Sequence, residues 1–531
     1  MRPDDKQLDQ PGLPSLPQPS VRSVALASLL SVFYLLFLAH PVNLTTADLG
    51  RHLKNGQILF ETGSLIATNF YSYTQSSFPT VNHHWGSGLL FYFVWRLAGF
   101  TGLHIFFIGM SLGSFLIFLA LARREAGNGV SSLLAIPTLF LLAERTEIRP
   151  EVFSYLLAGI FIWLLVGMPE GKKFLPRALA LAAGEILWVN THIYFFLGPL
   201  IVTAFLIEAW VWSKASRKRM RVLGATLALV AGAMLVNPFG FSGISAPFTI
   251  LRNYGYRVAE NQPVWFMERI MADPNFLIFK GLFILLAASF VIRFLKQKNV
   301  GVAYALLALG ASTMAWLQVR NLALFGLFSL PIIAANLAAS RRRELIVRLD
   351  TPAAVSAAAI LALLFIPASF GHLQAEFPYW HEFGLGLASN NSRAADFFKA
   401  NDLHGPIFNN YDIGGYLIFH LFPQEKIFAD NRPEAYPASF FQDTYIPMQE
   451  RSDAWRAAQA AYRFNAIFFF WRDVTPWAQS FLAARLNDPD WAPVFADENA
   501  LIFLRENDTN RQAIKRYQIP KNVFRITPVQ H

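Results

Sequence analysis

The chain has 531 residues, 54% of them hydrophobic and 15% charged, with a formal net charge of +10 and no cysteine. A soluble globule could not cover that much apolar surface, so the composition indicates a polytopic membrane protein. The missing cysteines exclude a disulfide, a thiolate zinc centre and a cysteine nucleophile, and the basic residues gather beside apolar runs, which indicates membrane orientation rather than nucleic-acid binding.

Residues 1–21 are rich in Pro, Gln, Asp and Ser and read as a disordered cytoplasmic tail. The apolar run from Val24 to Ala39 lacks a small-x-small cleavage site and is followed by further spans, so it reads as a retained first helix. A polar, turn-rich island then covers residues 41–86 and forms a large first outer loop. Within it Asp48, Arg51 and His52 stand at i, i+3 and i+4, so a helix there puts them on one face; Asn82-His83-His84-Trp85 closes the island. The plain alternative is a solvated loop with a helix cap at Thr46 or Asp48.

Residues 87–98 (GSGLLFYFVWRL) are apolar but short, and counting them as a crossing would invert every later loop; they are expected to form an in-plane or re-entrant helix. Further spans are expected at 103–122, 129–143, 152–168, 174–189, 193–212, 222–236, 276–294, 301–317, 322–338 and 352–370, about eleven crossings in all with the first helix. The clusters Arg123-Arg124, Lys172-Lys173, Ser213–Arg221, Arg293–Lys298 and Ser340–Arg348 then share one side, cytoplasmic with the N-terminus. The loops 41–86, 144–151, 190–192, 237–275 and 318–321 share the other with the tail beyond 371. Thus residues 22–370 form the transmembrane domain and 371–531 an extracytoplasmic α/β domain, with helices at 393–401, 437–449, 453–463 and 475–487 and strands at 406–409, 426–430, 466–471, 493–497 and 500–505. Gly414-Gly415 between a strand and a helix reads as a phosphate loop or, more simply, a turn.

The outer loops collect Asp48, Arg51, His52, His83, His84, Glu144, Arg145, Glu147, Arg149, Glu151, Asn190, His192, Arg320 and Asn321. Singly, each arginine has a plain role, snorkelling to the interface or pairing with a neighbouring carboxylate. Together, carboxylate and cations on one face suit transfer of a group from a lipid phosphate: a base takes the proton of an incoming hydroxyl and fixed positive charge holds the departing phosphate. His52, His83, His84 and His192 with Asp48 leave a divalent metal as the competitor, without any local metal-binding spacing. Glu185, inside a span, is a further buried charge.

The runs DLGRHLKNGQILFETGSLIATNFYSYT and VNHHWGSGLLF, followed by IRPEVFSYLL, LWVNTHIYFFLG, VNPFG, QVRNLALFGLFSLP and PIFNNYDIGGYLIF…KIFADNRPEAYP, resemble bacterial GT-C glycosyltransferases of the protein-mannosyltransferase and aminoarabinose-transferase type. The resemblance implies a plasma-membrane enzyme that moves a sugar from a polyprenyl-phosphate donor to an unidentified acceptor hydroxyl on the outer face, with inversion and no cofactor. It implies Asp48 as the residue that acts as base or positions the acceptor, and a donor phosphate near Arg149, Arg320 and His192; beside them His83 is read as a further phosphate contact and Arg51, His52 and His84 as support. Asp430, Arg432 and Tyr436 of the tail are expected as contacts. His84 stands where relatives often have Glu, Gly50 and Arg51 where an aromatic is usual, and Asn431 where Gly is usual; a non-catalytic scaffold is therefore the first alternative, and a lipid-linked saccharide transporter the second.

Overall fold

The computed structural model describes residues 20–211, 217–249, 253–340, 343–369 and 383–525. Most of the tail 1–21 and the domain boundary at 371 lie outside the described residues. The chain is mostly helical. Helix α1 (Val21–Leu38) starts at Ser20, whose hydroxyl accepts from the Ser23 N–H. Helix α2 (Leu49–Thr62) lies in the polar island and ends at Gly63 in the left-handed region.

Helix α3 (Trp85–Leu142) is one helical run broken at Gly99 and Gly127, where φ is 62° and 82°. These breaks yield pieces over 85–98, 100–126 and 128–142. They coincide with the short segment and the two spans that the apolar pattern separates. There follow α4 (Glu151–Val166), α5 (Leu175–Thr191), α6 (Leu197–Val211), α7 (Arg217–Ala233) and α8 (Gly240–Thr249). The single turn α9 (Val264–Met267) precedes α10 (Pro274–Gln297), α11 (Val302–Leu317), α12 (Leu322–Ser340) and α13 (Arg343–Ser369). Helix α12 is apolar all round because it is enclosed by α3, α10 and α11, and its residues from Leu322 to Ala335 are buried.

Among the described residues five helical stretches, Val21–Leu38, Trp85–Leu142, Ile193–Val211, Pro274–Gln297 and Val319–Ala339, are long and apolar enough to cross a membrane. Glu151–Val166, Val302–Leu317 and Asp350–Phe365 are shorter apolar helices. A helix lies at each of the eleven expected spans, two of them within Trp85–Leu142, while length and composition alone mark only the five stretches as able to cross.

The tail carries a four-stranded sheet in the order β1-β2-β4-β3, with β1 (Ile407–Asn409), β2 (Ala466–Phe470), β3 (Trp491–Ala496) and β4 (Ala500–Arg505). β1 and β2 are parallel and the other pairs antiparallel. Two expectations are corrected. Residues 426–430 are not a strand: Ile427 makes one isolated bridge to Ser72, so this run ties the tail to the first loop instead of joining the sheet. The expected helix at 437–449 is a π-helical turn at Phe440–Tyr445 followed by a single turn at Pro447–Glu450, because Pro447 has no N–H to continue the ladder.

The tail is not a detached domain. One hydrophobic core runs from the membrane helices through α2 into the helix Gly414–Leu421. A Cβ on Gly50 of α2 would stand 2.8 Å from the Gly415 carbonyl oxygen, and one on Gly414 would stand 2.4 Å from Asp430 Cα. Gly50, Gly414 and Gly415 therefore serve close backbone packing rather than a phosphate loop, and an aromatic at position 50 would not fit.

Candidate active site

Two adjoining cavities lie where the first polar island and the loops before α4, α9 and α12 meet the tail. One, of 340 Å³, is bordered by loops 46–48, 144–149 and 256–260 and by Asp412 and Asp473 of the tail. The other, of 520 Å³, is bordered by Arg51, residues 78–84, α8 and Tyr436. Asp48, Glu260, Arg320, Tyr411 and Asn431 line both.

Asp48 immediately precedes α2, and the first turn of that helix carries Arg51 and His52 into the protein, where they are 6% and 1% exposed. One Asp48 oxygen lies 3.5 Å from Arg51 Nη2 and the other 3.9 Å from Arg149 Nη1; the side chain is a quarter exposed. These contacts are long for ion pairs, which leaves both oxygens open to the cavities. Arg51 Nε also donates to Asn431 Oδ1 at 3.4 Å.

Glu260, in the loop between α8 and α9, is the hub of the arginines. It accepts from Arg145 Nη1 at 2.8 Å and Arg149 Nη1 at 2.9 Å, and lies 3.4 Å from Arg320 Nη1. Burial raises its carboxyl, but Arg149, Arg145 and Arg320 outweigh burial and hold it well below the usual carboxylate range. Arg145 is paired again with Glu151 at 2.7 Å, and Arg149 with Glu147 at 2.7 Å. Arg320 has the longest carboxylate contacts of the three: its second nitrogen is 3.9 Å from Glu151, while its Nη1 donates to Asn261 Oδ1 at 3.1 Å and its Nε has no partner.

The four histidines meet although they come from three separate segments. His84 is the centre, with ring centroids 4.1 Å from His83, 5.3 Å from His52 and 5.3 Å from His192, stacked on the last. Burial first, then neighbouring positive groups, push His52, His84 and His192 well below the ordinary imidazole value; burial is also the leading cause that brings His83 to about 4. All four are thus neutral at neutral pH; His83 and His192 make hydrogen bonds, whereas His52 Nδ1 and His84 Nε2 are buried without a partner. His192 Nδ1 accepts from the Tyr194 N–H at 3.4 Å, so the Ser154 hydroxyl, itself accepting from Trp188 Nε1, donates to that nitrogen and the His192 proton is on Nε2. The His83 Nδ1 donates to the Val81 carbonyl, which leaves Nε2 as an acceptor.

Asp48, Arg149, Arg320, Arg51, His83 and His84 border the cavities. His52 and His192 stand behind them as buried support. Of the expected tail contacts only Tyr436 borders a cavity. Asp430 and Arg432 do not: Arg432 clamps Asp430 through two hydrogen bonds of 2.8 and 2.7 Å and reaches Asn69 of the first loop at 2.6 Å, so this pair locks the tail onto the loop. Among the described residues no three His, Asp or Glu side chains are arranged to hold a metal ion. Glu185 is fully buried in α5, both carboxyl oxygens without a partner, and it is not among the residues bordering the cavities.

Three participants escaped the sequence reading. Glu260 lies 111 residues from Arg149 in a loop with no distinctive pattern; the only signal was the excess of arginine on the outer loops, which demands counter-charge. Tyr256 stacks on Tyr411 at 4.2 Å and joins that loop to the tail. Asp412 shares the smaller cavity with Asp48 and Asp473, and burial, then Asp473 and Asp48, push it from 3.8 up to about 7. The unfolded chain releases this proton near about pH 4, whereas the folded chain keeps it to near neutrality, so Asp412 makes the fold less stable as pH rises through that window. Asp412→Asn is expected to remove this loss. Thermal unfolding of wild type and variant should agree below about pH 4, diverge between about pH 4 and 7 and stay apart above that, with the variant the more stable; parallel pH profiles would refute the assignment.

No protein-family model matches this chain, and no curated protein matches it by sequence. Solved structures do match by fold. The archaeal oligosaccharyltransferase AglB from Archaeoglobus fulgidus, solved with an inhibitory peptide and a dolichol-phosphate, aligns with a TM-score of 0.58 at 12% identity over 89% of this chain and 72% of that one. ArnT from Cupriavidus metallidurans in the apo state aligns at 0.50 and 13% identity, over 90% of this chain and 97% of that one. The mycobacterial arabinofuranosyltransferase AftD aligns at 0.51 and 12% identity over 91% of this chain, which spans 40% of AftD. All three are GT-C glycosyltransferases, and the likeness at this identity is one of fold.

Proposed function

From the GT-C fold, we propose that this protein is a membrane glycosyltransferase that moves a sugar from a polyprenyl-phosphate donor to an acceptor hydroxyl, inverting the anomeric carbon. The observation that carries the reading is the Asp48 carboxylate, loosely held between Arg51 and Arg149 and open to both cavities. The larger cavity runs along α8, whose Phe241 and Phe248 are 81% and 71% exposed as a lipid-facing surface would be, and it suits the donor. The smaller one, bordered by tail residues, suits the acceptor. The AglB structure with dolichol-phosphate supports a lipid-phosphate donor.

In this mechanism the acceptor oxygen attacks the anomeric carbon while its proton passes to Asp48, and the bond from that carbon to the phosphate oxygen breaks with its electron pair on the phosphate. We assign that phosphate to Arg320, whose carboxylate contacts are long at 3.4 and 3.9 Å although its Nη1 also donates to Asn261 at 3.1 Å. Arg149 orients Asp48. His83 Nε2 accepts from a sugar hydroxyl, and buried His52 and His192 hold the ring cluster in place.

A second reading, a non-catalytic GT-C scaffold, rests on His84, whose position brings an imidazole rather than a carboxylate to the site. The purified full-length protein in vesicles, given a radiolabelled polyprenyl-phosphate sugar and candidate acceptors, separates the two. Release of polyprenyl phosphate that depends on the protein supports transfer; donor binding without release across the acceptors supports the scaffold.

A further inference from the structure

The ends of the helices away from Asp48 hold another cavity, of 460 Å³, between α3, α6, α7, α10, α11 and α12. Its walls carry two carboxylates and two guanidiniums, Glu125, Glu208, Arg219 and Arg293, together with apolar surface from Phe205 and Ala338. Opposite charges that share a cavity normally close on one another. Here no salt bridge joins any of the four among the described residues, and neither Glu125 nor Arg219 has a hydrogen-bond partner there. Glu208 accepts only from the Ala303 N–H at 2.9 Å; Arg293 donates to Asn336 at 3.2 Å and keeps a buried, unpartnered Nε.

Leaving such groups unpaired is costly, and a molecule with a phosphate and an ammonium on one short linker pairs both signs at once. The cavity's depth supports a lipid. Trp210 and Leu295, near the same ends of α6 and α10, are 72% and 61% exposed, and the basic runs 217–221 and 293–298 lie beside them, the pattern of a bilayer interface. The apolar wall suits a glycerol backbone and the first carbons of its chains.

We propose that this cavity binds an aminophospholipid of the adjacent leaflet, with its phosphate on Arg219 and Arg293 and its primary ammonium on Glu125 and Glu208. The site is independent of the transferase reading. Native mass spectrometry of the full-length protein, titrated with phosphatidylethanolamine, phosphatidylglycerol or phosphatidylcholine, tests it. Wild type is expected to retain the ethanolamine lipid about tenfold more than the other two, the factor a charge-assisted hydrogen bond carries. Glu125→Gln with Glu208→Gln should abolish that preference, and Arg219→Ala with Arg293→Ala should weaken all three phospholipids. Glu125→Gln alone, a near-isosteric change, gives the same readout should either double variant fail to fold. Equal retention of the three lipids by wild type, or a preference that survives Glu125→Gln undiminished, overturns the proposal. Displacement by soluble phosphoethanolamine at matched concentration would replace the lipid with a soluble zwitterion and overturn it equally.

Discussion

Asp48→Asn is expected to lower sugar transfer from a lipid-linked donor by about 10²- to 10⁴-fold, the range that a positioned general base contributes. Asn keeps the shape and still accepts a hydrogen bond from Arg51 or Arg149, but it cannot take up the acceptor's proton. The long contacts of 3.5 and 3.9 Å mean that little stability rests on this carboxylate, so the unfolding midpoint should stay close to wild type. Donor binding should survive as well, because the phosphate is assigned to Arg320. Transfer at more than half the wild-type rate would remove Asp48 from its proposed role and turn attention to Asp412, the carboxyl that shares its cavity.

Glu260→Gln is expected to destabilise the protein by about 2 kcal/mol, within the range for hydrogen bonds to charged groups, because the side chain is a quarter exposed and Glu151 and Glu147 still serve Arg145 and Arg149. The neutral amide leaves three guanidiniums in one enclosed place, each repelling the others. Arg320 loses its nearer carboxylate and keeps Glu151 at 3.9 Å and its hydrogen bond to Asn261 at 3.1 Å. Two measurements check this: the unfolding midpoint should fall by several degrees, and added salt should restore part of the loss by screening the arginines. An unchanged midpoint at low salt would show that Glu260 is not the anchor of the cluster. Under the transferase reading the variant should also bind an anionic lipid phosphate more tightly, since the counter-charge it must displace is gone.

The helical framework was largely legible in the residues. Apolar stretches marked the helices, the pattern separated 87–98 from 103–122 and 129–143, and Gly99 and Gly127 break α3 at those points. The strands at 407–409, 466–470, 491–496 and 500–505 follow runs of β-branched and aromatic residues. The run at 426–430 looks the same locally but meets Tyr71 and Tyr73 instead of a sheet neighbour, a choice that depends on a loop over 350 residues away.

For the site, charge and the expected topology put Asp48, Arg51, Arg149, Arg320 and His83 together, and all five border the two adjoining cavities. Which of those groups are free was not legible. Glu260, Asp412, the Arg432 clamp on Asp430 and Asn69, and the four-histidine cluster all join residues from distant loops, and a loop carries no periodicity to announce its partners. Hydrophobic patterning, a local property, determined by sequence alone that this is a helical membrane protein and where its polar face lies. Charge pairing in an enclosed site acts between groups brought together only by folding, so the tertiary structure alone decided which carboxylate holds the arginines and which is held only by long contacts beside the cavities.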